Sequence, residues 1–242
     1  MRSYQKLREH RLAMATRAFN ARGTAQSRCQ RCLLADFACI CKYRLTTSSH
    51  LDVILIMHRD EILKPTNSGR LINDILPKHS QVFEWSRTEP DNELLALLND
   101  PSRMCILLFP ADDSRPCLQT VEKVASDQKI TLVVLDGTWR QARRMFRQSR
   151  WLSHLPCLDL SIDQNTAYKL RTPADPSQLS TAQACAAALT QLGDAATGEQ
   201  LARYFNVFNE NYSASKYNVV APLGPDHVLL SHQINQQSKE VS

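Results

Sequence analysis

Three short apolar runs punctuate the chain: Leu51 to Met57, Met104 to Phe109 and Thr131 to Leu135, each rich in Val, Ile and Leu. Their apolarity is continuous rather than alternating, the pattern of strands covered on both faces, as in a parallel sheet between layers of helices. Weaker strand patterns lie at Gln81 to Trp85 and Cys157 to Ile162. Helical spacing fills the gaps at Ser68 to Leu76, Asp91 to Leu98, Leu118 to Ser126, Trp139 to Arg150 and Leu179 to Leu192, with a last helix from about Thr197 to Asn211. Alternating strands and helices predict an α/β fold, a mostly parallel sheet flanked by helices. After Tyr217 the periodicity is lost, and the closing Gln-Gln-Ser-Lys-Glu-Val-Ser reads as a loosely held tail.

At the other end, Leu12, Ala15 and Phe19 share helical spacing within a segment that holds Arg2, Arg8, Arg11, Arg17 and Arg22 against one acid, Glu9. A basic helix packed on the body and a mitochondrial transit peptide both fit that composition. The expected organisation is therefore 1–45 as a basic helix with a cysteine-rich segment, 46–216 as the α/β domain and 217–242 as the tail. A chain of 242 residues is long enough to bury one sizeable core. None of its apolar runs is long enough to span a bilayer, so a membrane is not an expected partner.

Charge narrows the partners. The formal net charge is +5, a moderate bias toward polyanions, but its distribution says more than its total. Between Gly137 and Pro156 stand Arg140, Arg143, Arg144, Arg147 and Arg150 and no acid. Arg140, Arg144 and Arg147 fall on one helical face at i, i+4 and i+7. A stripe of one sign is a candidate grip on a phosphate backbone.

Cys29-x2-Cys32-x6-Cys39-x-Cys41 offers four thiolates at a spacing that closes a tetrahedral zinc site, with Gln30-Arg31 as a knuckle-like turn. Iron–sulfur ligation uses the same ligands. Four protein ligands leave no open position for water, so the role is structural, and free thiolates fit a reducing cytoplasm.

Asp136 follows the run Thr131 to Leu135, at the strand end where open α/β sheets place their chemistry. Gly137 permits close backbone approach and Thr138 caps the helix from Trp139; a plain strand-to-helix turn fits the same residues. Ser180 and Gln183 fit a capping box, while the same helix start can hold an anion. His58, Glu61 and Asn67 follow the first strand. The chain has six glycines and lacks a phosphate-binding loop, a Gly-x-Gly-x-x-Gly fingerprint and a nucleophile elbow, which disfavours nucleotide-triphosphate and dinucleotide chemistry.

Taken in order, the four-cysteine cluster, the His58 to Arg70 segment, Leu107-Leu108-Phe109-Pro110, Asp136-Gly137-Thr138-Trp139, and Leu170-Arg171 followed by Ser180-Thr181-Ala182-Gln183-Ala184 resemble the DTW-domain family. That family comprises tRNA-uridine aminocarboxypropyltransferases related to the ribosomal-RNA aminocarboxypropyltransferases. The chain departs from the pattern at Arg59 and Ser68, where the family often has proline and threonine.

The resemblance implies a SPOUT-like domain with a trefoil knot in its C-terminal half, for which the long polar loop 163–176 is the candidate threaded segment. It also implies transfer of the 3-amino-3-carboxypropyl group from S-adenosylmethionine to N3 of a uridine in tRNA, in the variable loop, releasing 5′-methylthioadenosine. Asp136 would accept the N3 proton. Leu108, Phe109, Pro110, Leu135, Thr138 and Trp139 would form the cofactor walls, and Ser180 with Thr181 would hold the cofactor carboxylate. A monomer is the favoured state. A SPOUT-type RNA methyltransferase and a non-catalytic zinc-bearing RNA-binding module are the competing readings.

Overall fold

The computed structural model describes residues 2–16, 26–110, 117–118, 128–160 and 179–240. The apolar runs become the central strands: β1 (Asp52–Met57), β2 (Ser80–Glu84), β3 (Arg103–Leu108), β4 (Cys117–Leu118), β5 (Lys129–Asp136) and β6 (Cys157–Leu158) form one sheet in the order β2-β1-β5-β3-β6-β4. Every pairing is parallel. The helices are α1 (Tyr4–Ala13), α2 (Arg70–Ile75), α3 (Asn92–Leu98), α4 (Trp139–Gln148), α5 (Thr181–Gln191), α6 (Ala195–Ser215) and α7 (Pro225–Glu240).

Successive strand residues point to opposite faces, and both faces are covered. Val53, Leu55, Met57, Leu132 and Val134 bury one face in a core shared with α2, α5, α6 and the cysteine segment. Ile54, Ile56, Val133, Leu135 and Phe109 bury the other against α3 and α4. This two-sided burial is why the runs lack alternation. On the first face α5 and α6 pack closely because Gly198 has no side chain; a Cβ there would collide with Thr190 and the Ala186 carbonyl.

The expected tail is a helix instead. From 225 onward the chain forms α7, with Pro225 at its first position and Asp226 in the first turn, as the geometry of a helix start favours. Leu230 is fully buried, and the buried His227 sits edge-on to Tyr43 and is hydrogen-bonded to Asn211 at 2.7 Å. Among the described residues of this helix Leu230 is the one buried apolar side chain, beside the polar Asp226 and His227, too little to produce a helical period in the sequence.

At the N-terminus a helix forms, but on other anchors than expected. Leu12 and Ala15 are exposed, whereas Tyr4 is buried, its hydroxyl donating to the Ile62 carbonyl (2.7 Å) and its N–H to Asn73 (2.9 Å). Phe19 lies outside the described residues. Leu118 belongs to β4 rather than to a helix, and the remainder of that expected helix, 119–126, lies outside the described residues, as does the expected threaded segment 163–176. Among the described residues, the expected strand from Cys157 pairs at Cys157 and Leu158 alone, and its last two positions, 161 and 162, lie outside them. Arg150 is not on α4, which ends at Gln148; a 3-10 turn spans Arg150–Leu152.

Candidate functional site

Parallel register sets the site. Met57 pairs with Asp136, so β1 and β5 end level, and the segment after β1 turns back beside the Asp136 carboxylate. Asn67 Nδ2 donates to Asp136 Oδ2 at 2.6 Å, and the Arg70 N–H donates to Asn67 Oδ1 at 3.0 Å, which fixes the amide with its donor toward the carboxylate. Gly69 packs so closely that a Cβ there would stand 2.5 Å from Asp136 Oδ1. Only glycine admits this approach.

Asp136 is 1% exposed. Burial pushes its carboxyl up to about 6, against hydrogen bonds from Thr181 and Asn67 that favour the ionised form. Ion pairing would have pulled it the other way. The partners that touch it are neutral, and the nearby Glu61 and Lys64, themselves paired at 2.7 Å, act on it in opposite senses.

Asp136 lines a pocket of about 360 Å³ at the carboxyl ends of the strands, where open α/β sheets bind ligands. Leu108, Phe109, Pro110, Leu135, Thr138, Trp139, Ser180 and Thr181 all line this one pocket. Glu61, Asn67 and Ser68, which have no role in the sequence-based expectations, line it as well. Their signal was available: they follow β1, the neighbour of β5, so a parallel pairing had to bring them to Asp136.

Two helices start at the pocket, each with a capping box. Thr138 Oγ1 accepts from the Gln141 N–H (3.3 Å) while Gln141 Oε1 accepts from the Thr138 N–H (2.8 Å). Ser180 and Gln183 repeat the arrangement on α5. Both capping expectations are therefore realised. His58 does not line the pocket. Burial lowers its imidazole below the ordinary value, and it stacks on Trp85 with Nδ1 3.1 Å from Gln141 Nε2, so it braces the start of α4. Trp139 is 44% exposed and lies on Phe109, which stacks on Phe146 with ring centres 4.0 Å apart.

On α4, Ala142, Met145 and Phe146 face the core, which turns the arginines outward. Arg140, Arg143, Arg144 and Arg147 line a groove of about 470 Å³ together with Trp139. Arg150 is exposed but outside that groove. Arg144 bonds Gln148 at 3.2 Å. Among the described residues no carboxylate pairs with any of the five.

The cysteine sulfurs lie within 4.8 Å of one another, with Cys29 to Cys41 and Cys32 to Cys39 each 3.7 Å apart. Tetrahedral thiolates about 2.3 Å from zinc stand roughly 3.8 Å apart, so the set fits that ion. The turn forms as expected, the Leu33 N–H donating to the Cys29 carbonyl at 2.9 Å with Leu33 at φ 60°. A hydrogen bond from Cys41, with help from backbone groups of Ile40 and Leu34, lowers the Cys32 thiol below its ordinary value despite its burial.

A parallel α/β body, a pocket at its strand ends and a metal-type thiolate cluster define the class of protein. The DTW domain model matches residues 26–213, and the chain belongs to this family. It is similar to tRNA-uridine aminocarboxypropyltransferase 2 of Macaca fascicularis, at 25% identity over 174 residues covering 68% of this chain. The match spans 56% of that relative's length. No solved structure matches the chain. Among the described residues no helix is long and apolar enough to cross a membrane.

Proposed function

We propose that the chain transfers the 3-amino-3-carboxypropyl group of S-adenosylmethionine to N3 of a uridine in tRNA, in the cytoplasm, on a SPOUT-like fold knotted in its C-terminal half. The observation that carries the reading is the buried Asp136 carboxylate, held by neutral donors in the wall of a pocket at the strand ends. Family membership and the named relative support the reaction class.

The bound sulfonium supplies an activated γ-carbon, whose bond to sulfur breaks as the bond to N3 forms, with 5′-methylthioadenosine leaving. The protein must orient that carbon and accept a proton. With its carboxyl at about 6, Asp136 is mostly ionised at neutral pH yet basic enough to take the N3 proton. Leu108, Phe109, Pro110, Leu135, Thr138 and Trp139 form the cofactor walls, and the α5 start at Ser180 and Thr181 holds the cofactor carboxylate. Arg140, Arg143, Arg144, Arg147 and Arg150 contact tRNA phosphates. Cys29, Cys32, Cys39 and Cys41 hold a structural zinc.

The test is mass spectrometry of nucleosides from tRNA of cells lacking the protein. Loss of an aminocarboxypropyl uridine supports the reading. Loss of a methylated nucleoside would replace it with methyl transfer, and an unchanged profile would leave a binding module.

A further inference from the structure

Arg70 has no role in the proposed chemistry, yet it is among the largest fully buried side chains, 1% exposed. Its Nη2 donates to the carbonyl of Cys32, inside the metal-type turn, at 2.5 Å, and to the Pro65 carbonyl at 3.4 Å. The guanidinium lies over the Phe208 ring at 5.2 Å, and Nη1 stands 3.8 Å from Asp74. Among the described residues Nε and Nη1 find no hydrogen-bond partner. Filling space does not require a charged fork left half bonded, since an apolar side chain of similar volume packs without that penalty. The same residue's backbone N–H orients Asn67, the donor to Asp136. One residue therefore grips the cysteine turn with its side chain and the donor of the reacting carboxylate with its backbone.

We propose that Arg70 is a positioning residue that couples the cysteine cluster to Asp136, so that a metal-ordered turn holds the Asn67 amide on the carboxylate. This rests on the reading of Asp136 as the proton acceptor. When the turn loosens, Arg70 loses its anchor, the segment from Asn67 to Arg70 shifts, and Asp136 loses a donor that favours its ionised form. The other groups facing Asp136 are Glu61 and Lys64 after β1, Thr181 on α5 and Tyr4 on α1. Of these, Tyr4 also feels the Arg70 charge, which Arg70→Lys keeps while losing the fork.

The test uses the metal-loaded protein with carboxyl-labelled aspartate, following the Asp136 resonance against pH by NMR and assigning it with Asp136→Asn. In Arg70→Lys with unchanged metal content, the midpoint should rise by about half a unit or more, roughly a threefold change in acidity. A cadmium-loaded sample should show its metal resonance moving with the same midpoint in the unaltered protein and staying flat in Arg70→Lys, because coupling is reciprocal. A wild-type midpoint in Arg70→Lys, or a metal resonance blind to Asp136, overturns the proposal. If Arg70→Lys does not fold, the unaltered protein is titrated before and after its metal is chelated; the Asp136 midpoint should rise on metal loss, and an unchanged midpoint again overturns the proposal. The readout needs neither RNA nor S-adenosylmethionine, so a protein without transferase activity would sink the functional reading alone.

Discussion

Asp52 and Asp136 stand on neighbouring strands at opposite ends of the sheet, and their surroundings differ in kind. Asp52 opens β1 and meets Arg103 and Lys129, each at 2.7 Å, with His79 at 3.5 Å. Burial alone would raise its carboxyl, but the hydrogen bonds and charges of Lys129 and Arg103 outweigh it and hold Asp52 below the usual carboxylate range. Asp136 closes β5 and meets an amide, a hydroxyl and the backbone at Gly69. Its carboxyl is pushed up to about 6. One aspartate is fixed as an ion that ties three strands together at their starts; the other is left where a proton can come and go.

That contrast can be broken in order of effect. Asp136→Asn should lower kcat by about 10²- to 10⁴-fold, the range of a lost general base, measured as nucleoside formed per enzyme. Its stability should move the opposite way. Because folding raises the Asp136 pKa, its stabilising contribution is full below the unfolded value and lost as pH rises through about 6. Asparagine should therefore stabilise the fold at pH 8 by up to roughly 2–3 kcal/mol, seen as a higher melting temperature, and change little near pH 4. For the same reason kcat of the unaltered protein should fall on the acid side with a midpoint near 6.

Cys32→Ser should lose the metal and lower stability by several kcal/mol, on the order of other structural-site losses; metal analysis and thermal unfolding check both. Asp52→Asn should destabilise by roughly 1.5–3 kcal/mol at pH 7, the worth of hydrogen bonds to charged groups. Here folding depresses the pKa, so the contribution is present above the unfolded value and fades as pH falls through the folded one. The gap between variant and parent should close in acid, and kcat should barely change. Smallest of all, Arg144→Ala with Arg147→Ala should weaken RNA binding several-fold and reduce the salt slope by about 0.7–0.9 per lost phosphate contact.

The layers and the site were legible to different depths. Continuous apolar runs announced a sheet covered on both faces, and register then had to place the ends of β1 and β5 together. The thiolate cluster was legible because cysteine spacing is nearly geometric. Hidden were features carried by single contacts: α7, held by His227 and Leu230, and the anchor of α1, which is Tyr4 rather than the expected apolar spacing. Arg70 was hidden for another reason. A buried guanidinium looks like a surface residue in a sequence, and only its partners reveal it.

The most direct test is the identity of the small co-product when purified protein turns over S-adenosylmethionine with tRNA. The account predicts 5′-methylthioadenosine, formed in step with modified uridine and lost in Asp136→Asn. S-adenosylhomocysteine, or methylthioadenosine released equally without Asp136, would contradict it.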